Sequence, residues 1–162
     1  MKYLLDSNVF IEAKNRYYSF KIAPGFWNWL EIFTEEQSFL TIREVRNEIT
    51  ENDDELKEWI SEFPLNCFIE ADREIQDKMR EVTNYVTNNK RFSRENKNFF
   101  LSRADPWLIA TAMTGDYAVV THETKAGPGT KKVKIPNICE TFNVEYITIF
   151  DLMKIQKVSL KI

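Results

Sequence analysis

Residues 1–11 read MKYLLDSNVFI. Lys2–Leu5 has the apolar character of a short buried strand, Asp6 interrupts it, and Val9–Ile11 resumes it. A carboxylate inside a buried segment is costly unless something balances it. One reading removes the conflict: the strand ends at Asp6, and a helix follows over Asn8 to about Asn15, with Ser7 or Asn8 at its cap. Strand, carboxylate, helix is an α/β beginning, and the rest of the chain can be searched for the same alternation.

The alternation continues. PGFWNWLEIFTE (24–35) sets Phe26, Trp29, Leu30 and Phe33 on one helical face. SFLT (38–41) reads as a short strand. IREVRNEITEN (42–52) reads as a helix with Ile42, Val45 and Ile49 in one stripe, and DDELKEWISEF (53–63) as a second helix ended before Pro64. NCFIEA (66–71) reads as a strand, DREIQDKMREVTNYVTNN (72–89) as a long amphipathic helix, and ADPWLIATAMTG (104–115) as a helix closed by Gly115. YAVVT (117–121) and EYITIF (145–150) are strands, and a last helix runs through DLMKI (151–155). Strands separated by helices imply crossover connections and a parallel sheet covered on both faces. The expected fold is α/β, a three-layer sandwich.

Composition bounds the class. The chain has 162 residues, 43% of them hydrophobic, which suits one domain over residues 1–162 with its own core. A charged fraction of 29% beside plentiful aromatics excludes a disordered chain. The net charge of −3 leaves no global basic footprint, so nucleic-acid binding has to use local patches. Cys67 and Cys139 lack CxxC spacing and read as ordinary buried thiols. The N-terminal apolar run is too short for a signal peptide, and no stretch is long enough to span a bilayer. A cytoplasmic protein with no membrane partner is expected.

In open parallel sheets, sites form beyond the carboxyl ends of the strands. Asp6 lies at such an end, and so does Glu123, just past AVVT. Asp105 opens the helix DPWLIATA, and Glu48 borders the Val45–Ile49 stripe. Each has a plain reading alone. Asp6 and Asp105 could cap helices, the latter with Pro106 at the first helical position. Glu48 could be one solvated charge in REVRNEITENDDE, and Glu123 a loop residue. Four carboxylates meeting at one sheet edge cannot all ionise without a cation. Hard oxygen donors favour Mg²⁺ or Mn²⁺ over zinc, and such a centre suits hydrolysis of a phosphodiester by an activated water.

Four segments, YLLDSNVFI (3–11), TIREVRNEI (41–49), ADPWLIATA (104–112) and AVVTHE (118–123), together resemble the PIN-domain family of metal-dependent ribonucleases in order and context. The resemblance spans nearly the whole chain. It implies that Asp6, Glu48, Asp105 and Glu123 hold or organise Mg²⁺ or Mn²⁺ and are catalytic, with Asn8 and Thr121 in support. Glu123 stands where the family commonly has aspartate. The implied activity is endoribonucleolytic cleavage leaving 5′-phosphate and 3′-hydroxyl ends. The tail KKVKIPNICETFNVEYITIFDLM (131–153) is similar to a PIN-like subgroup known mostly as suspected nucleases. Many small members of the wider family are toxins, so the partners this admits are RNA, a separately encoded antitoxin, and a second copy of the chain in a homodimer.

Two basic runs flank the proposed ligands. Lys125, Lys131, Lys132 and Lys134 follow Glu123; Lys90, Arg91, Arg94, Lys97 and Arg103 precede Asp105. Such runs are commonly solvated faces. If functional, Lys125, Lys131, Lys132, Arg94 and Arg103 would hold RNA phosphates, and Phe92, Phe99 or Phe100 would either stack on bases or pack in the core. His122, the only histidine, reads as a polar loop residue and excludes a multi-histidine zinc site. AGPGTKK (126–132) lacks phosphate-loop spacing, and no helical pattern is read directly after it. Two rival classes remain: a PIN-like module that binds RNA or protein without cleaving, and a phospho-aspartyl phosphatase. The second lacks the usual aspartate two residues after its nucleophile, where this chain has Asn8.

Overall fold

The computed structural model describes residues 1–161. Its centre is a parallel sheet of β1 (Lys2–Leu5), β4 (Tyr117–Val120) and β5 (Glu145–Ile147) in the order β1-β4-β5. Leu5 pairs with Val120, and Val120 with Ile147. The ladder runs one residue further on both sides: Asp6 N donates to Val120 O (2.9 Å) and Thr121 N to Ile147 O (3.0 Å). Asp6 and Thr121 therefore stand side by side at the carboxyl edge.

A second parallel pair, β2 (Thr41–Ile42) and β3 (Phe68–Ile69), adjoins β1 through side chains. Thr41 Oγ1 donates to Leu5 O at 2.6 Å. Gln37, the last residue of α2 (Pro24–Gln37), accepts from Tyr3 N and donates to Tyr3 O, both at 3.0 Å, satisfying β1 as a neighbouring strand would. The strands thus lie in the order β3-β2-β1-β4-β5. The chain leaves β1 in one direction and returns on its other side at β4, so the order reverses between β1 and β4. Ligand crevices form at such switch points.

The remaining helices are α1 (Ser7–Glu12), continued by a π turn over Ala13–Tyr17, then α3 (Arg43–Thr50), α4 (Glu55–Ser61), α5 (Arg73–Asn88), α6 (Arg94–Ser102), α7 (Asp105–Ala112), α8 (Ile135–Thr141) and α9 (Ile149–Ile155). Most follow the sequence pattern. In α2, Phe26, Leu30 and Phe33 are buried; in α3, Val45 and Ile49; in α5, Ile75, Val82 and Val86. α7 buries Pro106, Leu108, Ile109, Ala110, Thr111 and Ala112, on every side of the helix, and packs against α5, α8 and β4. A helix apolar all round belongs in the interior, and its buried position fixes where Asp105 enters the sheet edge.

Several details differ from the expectation. The strand read at SFLT is Thr41–Ile42, so Ile42 ends a strand rather than joining the α3 stripe. The strand read at NCFIEA shortens to Phe68–Ile69 behind a 3₁₀ turn at Leu65–Cys67. Helices α6 and α8 fall where none was read. α8 begins three residues after Lys132, so the phosphate-loop reading fails on spacing alone. α7 ends at Ala112 with Met113 still right-handed, and Gly115 has no positive φ, so it is not a left-handed cap. Cys139 is fully buried but Cys67 only partly, and both are free. Among the described residues no helix is long and apolar enough to cross a membrane.

Candidate metal centre

Asp6 occupies the cap position of α1, yet its side chain makes no capping hydrogen bond. It is 1% exposed, and its Oδ2 accepts from Thr121 Oγ1 at 3.0 Å. The same Thr121 oxygen accepts from Glu123 N at 3.1 Å. One buried hydroxyl thus joins the ends of β1 and β4 and sets the start of the Glu123 turn. Asp105 does not cap either. It is the first residue of α7, with Ala104 at the cap position, Pro106 at the second helical position, and no side-chain cap bond. Neither carboxylate acts as a side-chain cap: Asp6 is held by Thr121 instead, and the Asp105 side chain has no protein hydrogen bond among the described residues.

Glu48 is reached from three sides. Its Oε1 accepts from Ala104 N (2.7 Å) and from Arg103 Nε (3.0 Å), and its Oε2 accepts from Ser7 Oγ. Its side chain is only 10% exposed, which rules out the solvated-charge reading. Ser7, expected to cap, instead binds a residue 41 positions away. Glu48 therefore ties α1, α3 and the start of α7 together. Glu123 uses Oε2 to accept from Ile135 N (2.7 Å) at the first turn of α8, which ties the 124–134 loop down. Glu123 Oε1 has no protein hydrogen bond among the described residues.

The electrostatics follow from this crowding. Burial pushes the Asp6 carboxyl up to about 7; the Thr121 hydrogen bond opposes that, and the charges of Glu123 and Glu48 add to it. Asp105 is pushed up to about 8 by burial, then by Asp6, Glu123 and Glu48, with Arg103 opposing. The four carboxylates sense one another across four separate elements. Yet no three Asp, Glu, His or Cys side chains among the described residues stand in an arrangement ready to hold a cation. The two facts agree once the oxygens are assigned. Glu48 accepts from three protein donors and Glu123 from one, so Asp6, through its other oxygen, and Asp105 are the carboxylates that would meet a cation directly. That set fits Mg²⁺ or Mn²⁺: Mg²⁺ keeps several waters and takes one or two carboxylates, and the outer glutamates would receive those waters.

The supporting and basic residues divide. Thr121 is at the site. Asn8 is exposed and makes no hydrogen bond to the carboxylates; it lines an open cleft of about 470 Å³ beside Glu123, with Arg16, Tyr17, His122 and Lys134. Burial holds the His122 imidazole below its usual range, with Glu12 opposing. A smaller cleft of about 200 Å³ opens beside Glu48, between Asn47, Arg103 and Trp107. A groove of about 450 Å³ lined by Glu31, Thr34, Glu35 and Phe63 contains none of the site residues. Arg103 pairs with Glu48, and Lys125 with Glu140 at 2.5 Å. Arg94, Lys131 and Lys132 are exposed and make no ion pair among the described residues.

The two basic runs meet in space. Ser93 N and Asn96 Nδ2 both donate to Lys131 O, and Arg91 donates to Pro128 O at 2.6 Å. Phe92 and Phe100 are core residues, whereas Phe99 is 68% exposed beneath the Arg103 guanidinium. Sequence reasoning missed Ser7, the Ala104 and Ile135 N–H donors, and the pairing of Arg103 with Glu48. A single serine at a helix start signals only a cap, and backbone donors leave no signal.

Residues 3–160 match the family model described as Domain of unknown function (DUF4411), and the chain belongs to that family. No curated protein and no solved structure matches it.

Proposed function

We propose that this member of the DUF4411 family is a PIN-like, metal-dependent endoribonuclease built as a three-layer α/β/α sandwich. The observation that carries the reading is the meeting of Asp6, Glu48, Asp105 and Glu123 at the switch point, with both aspartates held far above the usual carboxylate range. A chain gathers carboxylates at such cost where a cation repays it.

Asp6 and Asp105 would hold Mg²⁺ or Mn²⁺. When bound, the cation lets both aspartates ionise together, offsets the charge of a phosphodiester and acidifies a water for in-line attack. The rest is the work of the chain. Thr121 orients Asp6 by holding Oδ2, leaving the other oxygen for the cation. Glu48 locks the Ala104 N–H and so fixes the direction in which Asp105 enters. Glu123, whose Oε1 has no protein partner among the described residues, would accept a proton from the attacking water. Arg103, 38% exposed on its Glu48 anchor, presents the rest of its guanidinium to a substrate phosphate. Lys131, Lys132 and Arg94 extend a path for the RNA backbone without reading bases.

The test is incubation of an unstructured RNA with the protein and Mg²⁺, Mn²⁺ or a chelator, followed by end-group analysis. Metal-dependent fragments with 5′-phosphates are expected, and Asp105→Asn should abolish them. Intact RNA under every metal condition would leave the non-cleaving RNA-binding module. That alternative is favoured by one fact: three protein donors already occupy both oxygens of Glu48. A toxin role is tested separately, by growth arrest on expression and its relief by a neighbouring small open reading frame.

A further inference from the structure

We propose that the cleft beside Glu123 is a base-stacking subsite, in which Tyr17 carries one unpaired base of a single-stranded polynucleotide next to the carboxylate edge. This rests on the hydrolytic reading above for its substrate and goes beyond it in naming the strand state and the residue that selects it.

Tyr17, 49% exposed, and Phe99, 68% exposed, are the two strongly exposed aromatics among the described residues, whereas Phe10, Phe26, Trp27, Phe33 and Phe100 are each no more than 2% exposed; of the two, Tyr17 lies against other rings. Its ring is nevertheless held. His122 stacks on it with ring centres 5.7 Å apart and planes 29° apart, and Phe150 meets it edge-on at 5.4 Å and 88°. A ring buttressed on one face and one edge, and half open to solvent, offers its remaining face. Such a platform costs little to order when a base arrives, because two neighbouring rings already restrict it.

The backbone also singles out this position. Tyr17 ends a π turn, in which Tyr18 N donates to Ala13 O at 2.7 Å. π turns give up regular helical pairing and occur often at functional sites. Here the turn delivers Tyr17 to the cleft that Asn8, on the preceding helix, also lines.

The cleft has what a nucleotide chain needs on both sides of a stacked base. Its volume of about 470 Å³ falls in the range of small-ligand sites, and it is open, so a chain can pass through. Arg16, 72% exposed in its pair with Glu12, and Lys134 line it and can meet the flanking phosphates. Asn8 offers a donor and an acceptor to a base edge or ribose. His122 links the platform to Glu123, its chain neighbour, so the stacked base lies beside the reacting phosphate. A duplex hides its base faces; only a splayed or single-stranded base can use a lone aromatic platform.

The experiment uses the full chain carrying Asp105→Asn, which prevents cleavage, and a single-stranded RNA containing 2-aminopurine, whose fluorescence falls on stacking. The parent protein should quench the probe and bind it far better than the same sequence in a duplex. Adding Tyr17→Leu, which keeps bulk but removes the ring, should weaken binding about tenfold or more and abolish most of the quenching. Tyr17→Phe should preserve both. Melting curves confirm that each variant is folded. Equal quenching by parent and Tyr17→Leu, or equal affinity for duplex, overturns the proposal. Failure of the hydrolytic reading is separable. Tyr17-dependent quenching by a chain whose wild type cleaves nothing upholds the subsite and removes the nuclease. Wild-type cleavage that Tyr17→Leu leaves unchanged in KM removes the subsite and keeps the nuclease.

Discussion

Asp105→Asn should stabilise the metal-free protein, and only at pH values above the carboxyl's ordinary range, with a gain that grows toward pH 8 and then holds. The folded-state value is about 8 against an ordinary 3.8. Between those values the folded chain binds more protons than the unfolded one, so stability falls as pH rises from about 4 to about 8 and levels off above. For Asp105 alone that difference costs the folded chain on the order of 4 kcal/mol at pH 7, relative to a neutral side chain. Asp6, pushed to about 7, acts in the same direction. The two raise each other, so neutralising one also relieves the other. Asparagine keeps the size and loses no cap, because Asp105 makes none. Allowing for relaxation, the variant should gain on the order of 2–4 kcal/mol at pH 8 and almost nothing at pH 4. In a chain of this size that is roughly 5–15 °C in melting temperature. The assay is thermal unfolding by circular dichroism in chelator, from pH 4 to 9. Mn²⁺ should then invert the order, raising wild type through binding to the folded state and moving the variant little. Parallel wild-type and variant curves across the whole pH range would refute the claim that these carboxylates are forced together.

Thr121→Val removes the donor to Asp6 Oδ2 and the acceptor for Glu123 N. It should cost about 1–3 kcal/mol and weaken Mn²⁺ binding, read by melting and by metal titration. Lys131→Ala with Lys132→Ala should lower RNA affinity and flatten its salt dependence, whereas Lys125→Ala, whose ammonium is paired with Glu140, should change the slope much less. A thiol reagent at neutral pH should modify Cys67 in the folded protein and spare Cys139, which is fully buried with its thiol pushed up to about 12; mass spectrometry of the labelled protein counts the sites.

The strands and the long helices were legible because their signals are local. Leu4, Leu5, Val119 and Val120 form runs that can only be interior, and α5 repeats its apolar residues at helical spacing. α6 and α8 were missed because each is short, and RENKNFFLS buries only Phe100. In α8 a signal did exist: Pro136 sits in the first turn, where proline starts helices. The contacts that shape the site were not legible. Ser7 meets Glu48 across 41 residues, and Thr121 meets Asp6 across 115. Only the strand order makes them neighbours, and sequence fixes strand order through many weak terms at once.

Helix starts offer a test of the site internal to the molecule. Asp54, Asp72, Ser93 and Thr148 each cap a helix with a side-chain hydrogen bond to the backbone of the first turn. These are the residue types and positions that the capping rule anticipates, and none of them belongs to the crevice. Asp6 and Asp105 stand at helix starts too, and neither caps. Asp6 is fully buried and Asp105 partly so, and burial raises the carboxyl pKa of each. Capping alone would have stabilised the ionised form. The chain therefore treats two aspartates differently from every acidic cap it makes, at the one edge where its strand order reverses. Their departure from the capping rule, which the sequence could not reveal, is what sets these two helix starts apart from ordinary helix chemistry and motivates the proposed cation site.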